Sequence, residues 1–242
     1  EAADSLPLGP QRTQYYTEAV KHLQKAVEIY PQHSQAYLLL GNAYNGLSRY
    51  RDAIAAYEMA IKIKPKFADA YRNAAVVSGQ AKDYLNAAAN WRLYEQYNPG
   101  QSAVWYSRGQ SFMNARMGDS AIFAFKRTVE LDPGNWEALG NIALIYGRDL
   151  GQFPKAIEYG ELAIQNQRAE EWVYENLGIA HAMSGNLPQS LNTFQNGLTK
   201  YPQSAKLHYN AALTYQNLGD TANANLMFQK VMALDPSMLQ PR

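Results

Sequence analysis

The sequence predicts an all-α fold, an open solenoid of antiparallel helix hairpins, and three observations predict it. Proline recurs at a fixed interval: Pro31, Pro65, Pro99 and Pro133 stand thirty-four residues apart, as do Pro202 and Pro236. Within the interval, apolar residues fall three and four apart on both sides of a short turn such as LSRY or SGNLP, the spacing of two amphipathic helices. Columns of very small residues recur beside columns of large ones, as close helix packing requires.

With units starting at Ser34, Ala68, Ser102, Trp136, Glu171 and Ala205, the fourth column reads Tyr37, Tyr71, Trp105, Leu139, Tyr174, His208. The eighth reads Gly41, Ala75, Gly109, Ala143, Gly178, Ala212, and the twentieth Ala53, Ala87, Ala121, Ala156, Ser190, Ala224. The twenty-fourth reads Tyr57, Trp91, Phe125, Gly160, Phe194, Phe228. Small eighth and twentieth residues let the two helices approach, and the aromatics fill the remaining space. Pro154 and Pro188 fall where a second helix starts, where a missing N–H costs least, and the closing prolines stop that helix.

This gives a leader or linker over residues 1–13, a half unit at 14–33, and units at 34–67, 68–101, 102–135, 136–170, 171–204 and 205–236. A tail at 237–242 follows. About thirteen helices are expected. The unit from Trp136 has one extra residue, lacks the second-helix aromatic at Gly160 and has Arg168 in place of the closing proline, so a local bend is expected there. Arg108 stands where Leu40 and Leu177 stand in their units. The chain lacks an initiator methionine and starts inside a unit, and reads as a processed or excised piece.

Composition excludes several functions. At 47% hydrophobic and 18% charged the chain folds. A net charge of +1 without long like-charge runs disfavours nucleic acid. Cysteine is absent, which removes disulfides, thiolate metal sites and a cysteine nucleophile. No apolar run is long enough to span a membrane. Phosphate loops, triads and metal-spaced histidines are missing, so no enzyme activity, cofactor or metal is expected. His181 and His208 occupy columns elsewhere filled by tyrosine and read as packed, hydrogen-bonded rings.

The repeat resembles the tetratricopeptide repeat, matched most fully at Tyr37, Leu40, Gly41, Tyr44, Ala53, Tyr57, Ala60 and Pro65, over residues 14–236. The resemblance implies a right-handed superhelix whose first helices line a concave groove for a peptide or protein segment. Tyr106, Tyr209 and Trp172 occupy positions that line that groove in the family, with Arg72 and Gln110 beside them. The sixth column reads Leu39, Asn73, Ser107, Asn141, Asn176, Asn210. Asparagine offers two donors and an acceptor, which suits a peptide backbone whatever its side chains. The column is similar to the asparagine ladder of O-linked N-acetylglucosamine transferases, and implies that Asn73, Asn141, Asn176 and Asn210 face inward along one line to hold peptide.

The carboxylate clamp of co-chaperone tetratricopeptide domains is not matched. Its positions read Leu38, Asn42, Asn73, Ala103 and Ser107 here, both asparagines without the three cations. The expected role is a non-catalytic scaffold, or alternatively the substrate-recruiting or regulatory part of a larger protein, membrane-anchored or glycosyltransferase-like. The last unit lacks a solvating helix, so Val231, Leu226 and Met227 are expected to leave apolar surface uncovered, to be met by weak self-association or by a missing neighbouring segment.

Overall fold

The computed structural model describes residues 9–240 and divides into two compact units, one running to Ala124 and one from Phe125 onward. Thirteen α-helices and no strands are found among the described residues. The first unit holds α1 (Pro10–Ile29), α2 (Ser34–Gly46), α3 (Tyr50–Ile63), α4 (Ala68–Gln80), α5 (Tyr84–Tyr97) and α6 (Ser102–Asn114). The boundary falls inside α7 (Gly118–Leu131). The second unit holds α8 (Trp136–Leu144), α9 (Phe153–Ile164), α10 (Glu171–Met183), α11 (Leu187–Lys200), α12 (Ala205–Asn217) and α13 (Thr221–Leu234). Within each unit successive helices pack as antiparallel hairpins, the all-α class expected.

The small and aromatic columns meet as their periodicity requires. A Cβ on Gly41 would collide with the ring of Tyr57, and one on Gly178 with the ring of Phe194. Tyr57 and Phe194 are each 1% exposed, so neither ring has room to yield. In the first unit Tyr57 joins a core with Tyr16, Leu40, Tyr44, Phe67 and Val77. In the second, the core gathers Trp136, Leu139, Val173, Tyr174, Phe194 and Leu207. Gly160, which lacks the aromatic, is filled from across the interface by Leu177, whose Cδ1 lies 3.0 Å from where a Cβ would stand.

Every hairpin turn has a left-handed residue in one column: Ser48 (φ 57), Lys82 (φ 62), Arg116 (φ 58), Gly151 (φ 62), Gly185 (φ 85) and Gly219 (φ 78). Gly151 comes one position late, which places the extra residue of its unit upstream of it. There α8 runs into a π-helical segment, Ile145–Asp149, closed by Leu150 N–H to Ile145 C=O at 3.1 Å. Nine α-helical and five π-helical residues stand where the other first helices have thirteen. The inserted residue is thus absorbed as a π-turn, the usual fate of a single-residue insertion in a helix. Arg168 replaces a proline, yet the chain still turns, because Asn166 Oδ1 accepts the Arg168 N–H at 2.9 Å.

Two expectations shift. The expected leader extends to residue 13, but α1 begins at Pro10, whose fixed φ suits a first helical turn; residues 1–8 lie outside the described residues. Val231, expected to be uncovered, is fully buried (0% exposed), and the turn Pro236–Leu239, which joins the last repeat to the expected tail, packs on α13. Met227 joins the core, leaving Leu226 at 48% and Met232 at 55% exposed.

Glycine therefore has opposite values at two sites of the first unit. Gly41→Ala forces a methyl into the Tyr57 ring and is expected to cost about 1–3 kcal/mol. Lys82→Gly relieves a left-handed lysine and is expected to stabilise by about 0.5–1 kcal/mol. Urea unfolding of both variants checks the signs.

Candidate functional site

Each first helix spends one stripe on its core and leaves another open. Several are capped by the side chain before them: His33 Nδ1 accepts from Ala36 N–H, Asn135 Oδ1 from Ala138 N–H, and Ser204 Oγ from Leu207 N–H. The caps fix where each helix starts, and hence which residues fall on the open stripe.

In the first unit that stripe carries a polar network over a groove of ≈ 710 Å³ lined by Arg12, Tyr16, Leu39, Asn42, Asn73 and Val76 among others. Tyr57 O–H donates to Asn42 Oδ1 at 2.8 Å, and Asn73 Nδ2 donates to the same oxygen at 2.9 Å. Burial pushes the Tyr57 phenol well above its ordinary pKa, so it stays a donor. Two donors on one oxygen orient the Asn42 amide and leave its two N–H groups for a ligand. Leu39 and Val76, 45% and 43% exposed, add an apolar surface. Asn42 is outside the sixth column, and only the clamp positions pointed to it.

The remaining candidates of this unit are engaged within their own helices. Arg72 is exposed and lies 3.5 Å from Asp69 one turn away. Gln110 Nε2 donates to Tyr106 O–H at 2.8 Å, and Gln110 lines a smaller recess of ≈ 200 Å³ with Val76, Trp91 and Ser107. Arg108, in a leucine column, lays its guanidinium over Trp105 (5.0 Å) and Phe112 (5.4 Å). Its Nε is buried without a partner, and burial, aided by nearby Arg92, draws its pKa down.

In the second unit the three asparagines differ. Asn141 is buried, 6% exposed, next to Gly140, whose missing side chain makes room for Trp172. Asn176 Nδ2 donates to Trp172 C=O at 2.7 Å in its own helix, and Asn210 Nδ2 reaches Glu175 Oε1 at 3.5 Å on the neighbouring first helix. Both are half-buried, and among the described residues no hydrogen bond is found to either amide oxygen. Tyr209 turns to the second helix and meets Phe228 edge-on at 6.0 Å. Trp172 lies 6.0 Å from Trp136 and lines a recess of ≈ 440 Å³ with Glu170, Glu171, Glu175, Tyr201 and Lys206. Burial, and then Glu171, raise the Glu175 pKa, opposed by Lys206 and by the Asn210 hydrogen bond.

Comparison with known proteins settles the family. Models described as tetratricopeptide repeat match residues 34–67, residues 11–33 and 205–238, and residues 106–171. The chain belongs to the tetratricopeptide repeat family. Among curated relatives it is 24% identical to anaphase-promoting complex subunit 3 of Schizosaccharomyces pombe over 64% of this chain and 25% of that protein. It is 22% identical to the peroxisomal targeting signal receptor of Saccharomyces cerevisiae over 84% of this chain and 34% of that one. Protein O-mannosyl-transferase TMTC3 of Mus musculus is 23% identical over 90% of this chain and 26% of its own length. The chain thus spans a quarter to a third of these relatives. The solved MamA protein matches at TM-score 0.64 and 20% identity, covering 72% of this chain and 94% of MamA, a likeness of fold.

Other chemistry is sparse in this tetratricopeptide chain. Among the described residues no group of three His, Asp or Glu is placed to hold a metal, and no helix is long and apolar enough to cross a membrane. His208 is packed and hydrogen-bonded as expected, with a ring nitrogen 3.2 Å from Pro202 C=O. His181 departs from expectation. It is packed, 4% exposed, but neither ring nitrogen has a hydrogen-bond partner among the described residues, and Glu161 Oε1 stands 3.8 Å from Nε2.

Burial lowers the His181 pKa, against a smaller pull upward from Glu161. The unfolded chain therefore takes up this proton first. The stability His181 contributes is complete above about pH 6.5, the ordinary histidine value, and is lost as pH falls through and below it. Tyrosine stands in this column at Tyr44, Tyr146 and Tyr215, so His181→Tyr is expected to fold and to flatten the fall in thermal midpoint between about pH 7 and pH 5.

Proposed function

We propose that this tetratricopeptide chain is a non-catalytic scaffold whose open first-helix stripes hold a segment of another protein. One observation carries the reading. Residues facing between helices are packed without slack, as at Gly41 against Tyr57, while the open stripes keep oriented, incompletely used amides at Asn42, Asn73, Asn176 and Asn210. Amides spaced by the repeat offer a donor and an acceptor to successive peptide units, and each such hydrogen bond adds roughly 0.5–1.5 kcal/mol net. Arg72, Tyr106, Gln110 and Trp172 flank the stripes, while Tyr209 packs on Phe228 of the second helix and Asn141 belongs to the packing beneath.

A second reading rests on the chain spanning only part of its relatives, among them a transferase and a targeting-signal receptor. In it the repeats recruit substrate for a longer protein, and the same stripes do the recruiting. Weak self-association would use the apolar surface left at Leu226 and Met232, and sedimentation across a concentration series reads it.

The triple substitution Asn73→Ala, Asn176→Ala, Asn210→Ala tests the scaffold reading by selection from a displayed library of random dodecapeptides. The expected outcome is loss of capture by at least tenfold, with a thermal midpoint within a few degrees of the parent, since these side chains are outside the cores. Undiminished capture would send the search for a binding surface to the second helices.

A further inference from the structure

One surface of the second unit has a chemical polarity that an asparagine ladder alone does not supply. On α10, Trp172, Glu175, Asn176, Ile179 and Met183 recur at three- and four-residue spacing and share one stripe. On α12, Lys206, Asn210 and Leu213 occupy the same steps, and the Asn210–Glu175 contact holds the two stripes side by side. The residues change character along the helices. At the N-terminal end the ≈ 440 Å³ recess is walled by Trp172 and Tyr201 and ringed by Glu170, Glu171 and Glu175 against Lys206. At the C-terminal end Ile179 (37% exposed), Leu213 (37%) and Met183 (62%) form an uncovered apolar ridge.

We propose that this face selects an extended peptide bearing a basic side chain, set in the aromatic and acidic recess, and an apolar side chain on the Ile179, Met183 and Leu213 ridge. The inference rests on the scaffold reading and adds side-chain specificity to it. Charge complementarity fixes the occupant. Three carboxylates line the recess against Lys206 and against Lys200, which lies 5.4 Å over the Tyr201 ring and donates to Ala169 C=O, so the net charge stays negative beside the Trp172 ring, the surroundings that favour a guanidinium or ammonium. An acidic or purely apolar segment would leave those carboxylates desolvated without a partner.

Glu171 is already anchored, its Oε1 accepting from Ser204 Oγ at 2.7 Å, so the recess is held in shape before any ligand arrives. The spacing is fixed too. At about 1.5 Å per residue, Ile179 and Met183 lie about 6 and 12 Å along α10 from Glu175. An extended peptide advances about 3.3 Å per residue, so its basic and apolar residues should be two to four positions apart.

The test is selection of displayed random dodecapeptides by the whole chain, with sequencing of the enriched pool. The parent should enrich Arg or Lys two to four residues from an aliphatic or aromatic residue. The isosteric pair Glu171→Gln, Glu175→Gln keeps the hydrogen-bond acceptors and should lower the basic preference by about tenfold, with the apolar preference intact. Lys206→Glu, an exposed change, should raise the basic preference. Enrichment of peptides without any basic preference, or a preference unmoved by these variants, overturns the inference and leaves the scaffold reading standing. Enrichment of no peptide at all contradicts the scaffold reading, and this inference with it.

Discussion

The closeness of two helices within each hairpin governs this structure. At Gly41 and Gly178, eighth residues of their repeats, the aromatic sixteen positions later, Tyr57 and Phe194, closes so near that an added Cβ would collide with the ring. Dispersion contacts at that separation are many and individually small, so a single added methyl converts attraction into overlap. The contact also fixes the rotation of each first helix about its axis. Once Gly41 faces Tyr57, the sixth and ninth residues fall beside that contact on the open side, where the Tyr57 hydroxyl still reaches Asn42, and Leu39, Asn42, Asn73 and Val76 share one groove.

The division between packing columns and open stripes explains how chemistry of modest strength becomes usable. No single group at the site is strongly activated. What the fold provides is orientation: Tyr57, a core residue, reaches through to the open side and fixes the Asn42 amide, which in turn accepts from Asn73. In the second unit Asn210 and Glu175 couple adjacent first helices in the same way. Preorganised donors and acceptors lose less on binding than mobile ones.

Most of the fold was legible in the sequence because it is written in columns. Proline spacing, the glycine and aromatic columns and the odd residue of the unit from Trp136 each have one structural meaning, and the last became the π-turn at Ile145–Asp149. The turn column was illegible, since Ser48, Lys82 and Arg116 adopt a conformation that only glycine signals. The start of α1 was misjudged because Pro7, Gly9 and Pro10 together read as a linker, whereas Pro10 opens the helix. The site was half legible. Column spacing finds which residues face outward, but not that Trp172 fills the place left by Gly140, that Tyr209 prefers Phe228, or that Asn141 is buried. Those depend on side chains of other columns, on the partner helix of the same repeat for Tyr209 and on the next repeat for Trp172, which a single column does not contain.

The most direct test of the division between packing and binding follows the asparagine side-chain amide signals by NMR during titration with a dodecapeptide selected by the chain. If the open stripes bind, the Nδ2 resonances of Asn42 and Asn73 shift together and saturably with a peptide held by the first unit, or those of Asn176 and Asn210 with one held by the second, while the Asn223 resonance on a second helix stays still. Saturable shifts confined to second helices or hairpin turns, with the four stripe amides unmoved, would contradict the account.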